Sequence, residues 1–314
     1  MLALLLNALF PLVGVMGLGW ISGKLGYLKR HDATTFASLV VRFALPFHLF
    51  VGALHTSPDK LQNLPFIAVL TFGLMGSYFV SLLVGKLFFR QDIKTSAIQA
   101  LVCAFPDMAY FGAPVLSVLI GPEGFLGVLI GNLITSLLMI PLTIILMRLG
   151  EDSRLGENSS SITQILLENL WKAARNPIVW IPLLGAALSI AGVKLPEPVM
   201  APIEMMGKTA AGVSLFALGL MFFGERPSFD RTVGTNVGLK NLLQPAMMTA
   251  AGLALKLDHV LMQQVVVIGA TPSAIAAGMF AIRNGTYAEE ASSSILIGTA
   301  LAIATEGLMI ALVS

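Results

Sequence analysis

The residues with chemistry to offer are few, and they stand in apolar surroundings. Asp107 lies in the run Ala104-Phe105-Pro106-Asp107-Met108-Ala109-Tyr110-Phe111-Gly112-Ala113-Pro114, and Glu306 lies in another apolar run. Keeping a carboxylate ionised among hydrocarbon costs several kcal/mol, so each must be protonated, paired or bound to a cation. Asp107 is a candidate proton carrier or sodium ligand, or an N-cap for the helix that follows. Glu306 is a second proton or cation group, or the partner of a hydroxyl such as Ser292 or Thr305. Arg42 reads as the only Lys or Arg within a membrane span. It stands four residues before Pro46, whose ring frees the Arg42 carbonyl. Its planar fork suits a carboxylate held bidentately, on an organic anion or on Asp107 or Glu306, and snorkelling to a helix end is the competing role. His48, on the same span, can titrate near neutral pH or serve as a hydrogen-bonded packing residue. Tyr110 can offer a hydroxyl to a ligand, while Met108 and Phe111 read as packing.

Backbone groups are the second source of chemistry. Pro106, Gly112 and Pro114 interrupt one apolar helix, and Gly269-Ala270-Thr271-Pro272-Ser273-Ala274 interrupts another. A proline inside a helix removes a donor and pushes away the carbonyl four residues earlier. Bare peptide groups are intolerable in lipid, so both unwound segments must line a protein-enclosed, hydrated cavity. Crossed half-helices present positive N-termini that suit an anion and carbonyl ends that suit a cation. Thr271, Pro272 and Ser273 therefore join Pro106, Asp107, Gly112 and Pro114 as candidate binding residues.

The elements that must position these groups follow from composition. Of 314 residues, 56% are hydrophobic and 11% charged, with a mean hydropathy of +0.85. A soluble domain carries about a quarter charged residues, so this chain belongs in a bilayer and soluble enzymes are excluded. A net charge of +2 without a basic stripe gives no reason to expect nucleic acid. The single cysteine, Cys103, permits no intrachain disulfide or Cys metal cluster, and reads as a small apolar residue. The first apolar run has no basic residues before it, which predicts no cleaved leader. No Gly-x-Ser-x-Gly or His-Glu-x-x-His is present, and no enzyme activity or resident cofactor is expected.

Each crossing needs about 20 mostly apolar residues. Ten stretches qualify, at roughly 2–22, 33–54, 65–88, 96–119, 124–147, 177–193, 208–223, 237–255, 260–282 and 291–313. The runs are too long and continuous for barrel strands. The odd connections hold fourteen Lys and Arg, Lys240 counted among them, against four in the even ones, Lys208 counted there. That places the odd connections in the cytoplasm and both termini outside. Compact loops point to a bacterial inner membrane.

Residues 1–147 read as a first five-span repeat and 177–314 as a second. Residues 148–176 form a cytoplasmic linker that contains an interfacial helix over 162–172. At an offset of 166 residues Pro11 matches Pro177, Gly19 matches Gly185 and Pro106 matches Pro272, a trace of an inverted repeat.

Phe105-Pro106-Asp107 followed by Gly112-Ala113-Pro114, and Thr271-Pro272-Ser273 ahead of Ala281, resemble the crossover helices of the auxin efflux carrier family. Phe43-Ala44-Leu45-Pro46-Phe47-His48-Leu49-Phe50 and Asn176-Pro177-Ile178-Val179-Trp180 extend the likeness across the chain. The resemblance implies an all-α polytopic membrane protein with ten spans, a five-plus-five inverted repeat and broken helices four and nine. It also implies a scaffold of spans one, two, six and seven, a transport domain of spans three to five and eight to ten that moves like an elevator, and a homodimer built on the scaffold. The implied activity is secondary transport of a small organic anion, malonate in bacterial members, with a proton or a sodium ion near Asp107 as candidate coupling ion. Plant members carry an asparagine where this sequence has Asp107, and a second span-nine proline where it has Ala277. Both departures point away from auxin as the substrate.

Overall fold

The computed structural model describes residues 2–55, 63–155, 167, 171, 174–224 and 227–313. Among them the regular structure is helical, apart from one isolated β-bridge. In chain order the helices are α1 (Leu2–Lys24), α2 (Asp32–His55), α3 (Leu64–Phe88), α4 (Ile93–Ala104), α5 (Ala113–Leu119), α6 (Phe125–Gly150), α7 (Pro177–Ile190) and α8 (Glu197–Phe222). Then come α9, made of Arg231–Gly238, Leu239–Leu243 and Gln244–Ala254, followed by α10 (His259–Ala270), α11 (Ile275–Arg283) and α12 (Ala288–Val313). By length and composition α2, α3, α6 and α8 are each able to cross a membrane alone. The predicted interfacial helix over 162–172 lies almost wholly outside the described residues.

Short polar residues fix where helices begin. Asn63, Asp92, Asn176, Asp230 and Asp258 each accept a backbone N–H of the first turn of α3, α4, α7, α9 and α10, at 2.7–3.2 Å. Asp92 and Asp258, which start the two half-helices α4 and α10, are themselves 166 residues apart.

Prolines within the spans do not all break them. A π turn ends two residues before Pro46, Pro114, Pro141 and Pro245, at Val40–Ala44, Met108–Gly112, Thr135–Met139 and Leu239–Leu243. Widening the preceding turn to i→i+5 bonds, as Leu45 N to Val40 O and Gln244 N to Leu239 O show, removes the clash between ring and carbonyl. This corrects the expectation that Pro106 and Pro114 together unwind span four. The chain leaves the helix at Phe105 to Asp107, and Pro114 sits in the first turn of α5.

Glycines set the closest approaches. A Cβ on Gly19 would overlap Phe216 O and one on Gly219 would overlap Met16 O, so α1 and α8 cross backbone to backbone. A Cβ on Gly185 would stand 2.7 Å from Phe50 O, which packs α7 on α2 in the same way. The residues matched at the offset of 166 thus do the same job in two helix pairs, whereas Pro11 lies inside α1 and Pro177 starts α7.

The outer surface is apolar, with Phe10, Leu18, Phe72, Phe88, Leu242 and Leu308 exposed, and polar groups are gathered inside. Gln99 donates to Asn236 at 2.9 Å, and Asn236 donates to Tyr287 Oη at 2.8 Å and Ser294 Oγ at 2.9 Å. Cys103 is buried and donates to Asn236 Oδ1 at 3.3 Å.

Two basic residues leave the places given to them. Lys240, counted in a cytoplasmic connection although the expected span 237–255 contains it, is buried inside α9, which starts at Arg231. Lys208, counted in an outer connection, lies within α8 and pairs with Glu204 at 3.1 Å.

Candidate functional site

The site is built where α4 and α10 stop. Phe105 turns extended, at φ −82° and ψ 105°, and Pro106 pairs with Ser273 in an antiparallel bridge. Asp107 N donates to Pro272 O at 2.8 Å, and Ala274 N donates to Phe105 O at 2.8 Å. Each broken helix satisfies the other's freed peptide groups, which is what allows two interruptions in apolar surroundings. Gly112 makes room on one side: a Cβ there would stand 3.1 Å from Thr271 Cγ2. Pro106, Asp107, Gly112, Pro114, Thr271, Pro272 and Ser273 are all buried around this crossing. The backbone of Tyr110 lies in the adjoining π turn, and its side chain is outside the described residues.

Three of the half-helix ends at the crossing are treated differently. At the end of α10, Val267 O accepts Thr271 N at 2.9 Å. Pro272 has no N–H for Ile268 O, which takes Thr271 Oγ1 instead, at 2.9 Å. Gly269 O accepts Lys240 Nζ at 3.1 Å. At the end of α4, Ala104 O accepts Gln244 Nε2 at 2.8 Å, and the same amide donates to Ser77 Oγ at 2.8 Å. Two side chains one helical turn apart on α9 therefore hold both carbonyl ends. The amide end of α11 has no such partner: Ala274 occupies its cap position without a side-chain bond, and Ala276 is exposed. Ser273 is nearly buried, and its hydroxyl has no partner among the described residues.

A cavity of about 100 Å³ runs along one side of α11, starting at Ile275 in its first turn. It is lined by Arg30, Met221, Ile275, Gly278, Met279 and Ser292, among others. Arg30 donates from Nε to Met221 O at 3.1 Å, which anchors its stem near the end of α8.

Other expected site residues lie elsewhere. Arg42 is exposed on the π turn of α2 and has no hydrogen-bond or ion-pair partner among the described residues. It is not the only basic residue within a helix of the membrane region: Lys240, 1% exposed, lies at the crossing. Lys240 could have been recognised because the stretch 237–255 that predicts the span already contains it. His48 packs edge-on against Phe125, with ring centroids 4.1 Å apart, and its Nε2 is buried without a partner. Glu306 is wholly buried, and neither carboxylate oxygen has a hydrogen-bond partner among the described residues. Thr305 bonds its own helix, so the expected pairing with that hydroxyl is not formed. No group of three or more metal-ligating side chains occurs among the described residues.

The family model described as "Membrane transport protein" matches residues 4–310. The chain is 26% identical over 304 residues to "Uncharacterized transporter YfdV" of Escherichia coli K12, covering 95% of this chain and 94% of that one. An "Uncharacterized transporter" of Methanothermobacter thermautotrophicus is 25% identical over 297 residues, 91% of each chain. "Probable auxin efflux carrier component 1b" of Oryza sativa subsp. japonica is 27% identical over 154 residues, 46% of this chain and 28% of that one.

Proposed function

The chain belongs to the membrane transport protein family, that of the auxin efflux carriers, and we propose that it moves a small organic anion, malonate or a related carboxylate. It is a multi-pass membrane transporter and not an enzyme. The observation that supports the choice of an anion is the unequal treatment of the half-helix ends. Lys240 and Gln244 cancel the negative ends of α10 and α4, while the positive end of α11 is left without a side-chain cap, and a cavity runs along one side of that helix from Ile275 to Ile282. A carboxylate there gains backbone donors and the favourable end of the helix dipole. Ser273 supplies a hydroxyl, and Arg30 supplies a cation along the route from the cytoplasmic side.

In this reading ten crossings form two inverted five-helix repeats. The offset of 166 shared by Pro106 and Pro272, by Asp92 and Asp258, and by Gly19 and Gly185 supports it. Packing supports a division into scaffold and transport domain: α1 lies on α8 and α7 on α2, while α4 packs with α3 and α6, and α10 with α9 and α12. The cavity falls between these groups, with Arg30 and Met221 on one side and α11 and α12 on the other. The anion docks at the α11 amide end, and the transport domain slides past a dimeric scaffold to release it across a bacterial inner membrane.

The test is uptake of labelled malonate, succinate and acetate into proteoliposomes. Saturable uptake that competes with unlabelled malonate, and that falls in Arg30→Ala, is expected. Equal background flux of every carboxylate in protein-containing and protein-free vesicles would remove the anion reading.

A further inference from the structure

Besides the anion site, the crossing holds a pair of buried ionisable groups that its substrate contacts do not use. Lys240 stands on the π turn Leu239–Leu243 of α9, and Glu306 stands on α12. They are 1% and 0% exposed. The ammonium has three donors, and one is given to Gly269 O at 3.1 Å. Both Glu306 oxygens are buried, with no hydrogen-bond partner among the described residues. The two groups are within electrostatic reach of each other without touching. The titratable groups that face Lys240 are Glu306 from α12, and Cys103 and Asp107 from the span-four side. Lys240 is the charge that faces Glu306.

A coupling metal ion at such a crossing would take a carbonyl end and a carboxylate. Here the carbonyl end of α10 is already occupied by an ammonium, whose charge also repels a cation arriving at Glu306. A buried carboxylate with no hydrogen-bond partner among the described residues is stable in a dry interior when it carries a proton. The geometry points to Glu306 and Lys240 as a buried proton-exchange pair, standing where a sodium-coupled carrier would hold its ion. This deepens the proposed anion transport and rests on that reading for its role as the coupling step. The step itself is Glu306–COOH giving its proton to water on the side to which the domain opens, leaving the carboxylate to face the Lys240 ammonium, and taking a proton back on the other side.

Two readouts separate this idea from the anion reading. In proteoliposomes, malonate accumulation by the unaltered protein should follow an imposed pH gradient and be the same in sodium and choline buffers. Glu306→Gln, which keeps shape and removes the proton, should lose gradient-driven accumulation while labelled malonate still exchanges against internal malonate. Lys240→Met should lose accumulation as well. Accumulation that requires a sodium gradient, or that is unchanged in Glu306→Gln, overturns the proposal. The second readout needs no substrate. Infrared difference spectra taken across pH should show a protonated-carboxyl band that is missing in Glu306→Gln, and a band that is absent, or that survives the substitution, also overturns the pair.

Discussion

Single side chains decide how charge is arranged at the crossing. Gln244 donates to two buried oxygens on different helices, Ala104 O and Ser77 Oγ. Gln244→Leu preserves bulk and leaves Ala104 O without its donor, while Ser77 Oγ still donates to Leu74 O at 3.0 Å, so the loss should be about 1–3 kcal/mol for the one carbonyl left unpaired. Thermal melting in detergent should show it as a clear fall in Tm. An unchanged Tm would mean that these contacts do not hold the end of α4. Arg42 gives the opposite expectation. Exposed, and without a partner among the described residues, it does not line the cavity, so Arg42→Ala should leave malonate uptake unchanged where Arg30→Ala lowers it. The sequence pointed to Arg42 because hydropathy alone ranks a cation by the run that contains it. Which way a helical residue faces depends on helix rotation, and rotation is set by neighbours that a window along one chain does not see. Asp107 and Glu306 were legible for the converse reason, since an acid in an apolar run has to be accommodated wherever it points.

At the level of helices, the two breaks were readable because proline chemistry is a local property, and so were the four helices α2, α3, α6 and α8 that are long and apolar enough to cross a membrane. The π turns were not. A proline in a helix predicts a disturbance, but whether the chain unwinds or widens by one residue per turn depends on what can absorb the freed groups. At Pro106 and Pro272 the partner is the other break, whereas at Pro46, Pro114, Pro141 and Pro245 the preceding turn absorbs the clash alone. The start of α9 was misplaced because Arg231 to Val237 is too polar to register as a span, although Asp230 caps it. The contact between α1 and α8 has its own test. Gly219 has no room for a Cβ against Met16 O, so Gly219→Ala must push the two helices apart at a cost of about 1–3 kcal/mol. Gly212, on the same helix with open space at its Cβ position, should accept alanine without loss. Equal melting temperatures for the two variants would show that the close crossing of α1 and α8 is not formed.

At the scale of the whole molecule, apolar faces turned outward and polar groups turned inward give a body suited to lipid outside and to a hydrated crossing within. The surplus of cations on the odd connections predicts that alkaline phosphatase fused after Ser314 is active and that a green fluorescent protein fused there is dark; the reverse pattern would invert the topology. The central claim is that the amide end of α11, left open while both carbonyl ends are held by α9, receives a carboxylate. The most direct measurement is a density map of the protein with bound bromomalonate, whose heavy atom marks its position. The account predicts density beside Ser273 and the first amides of α11. Density among Lys240, Gln244 and the ends of α4 and α10, with the α11 end empty, would contradict it.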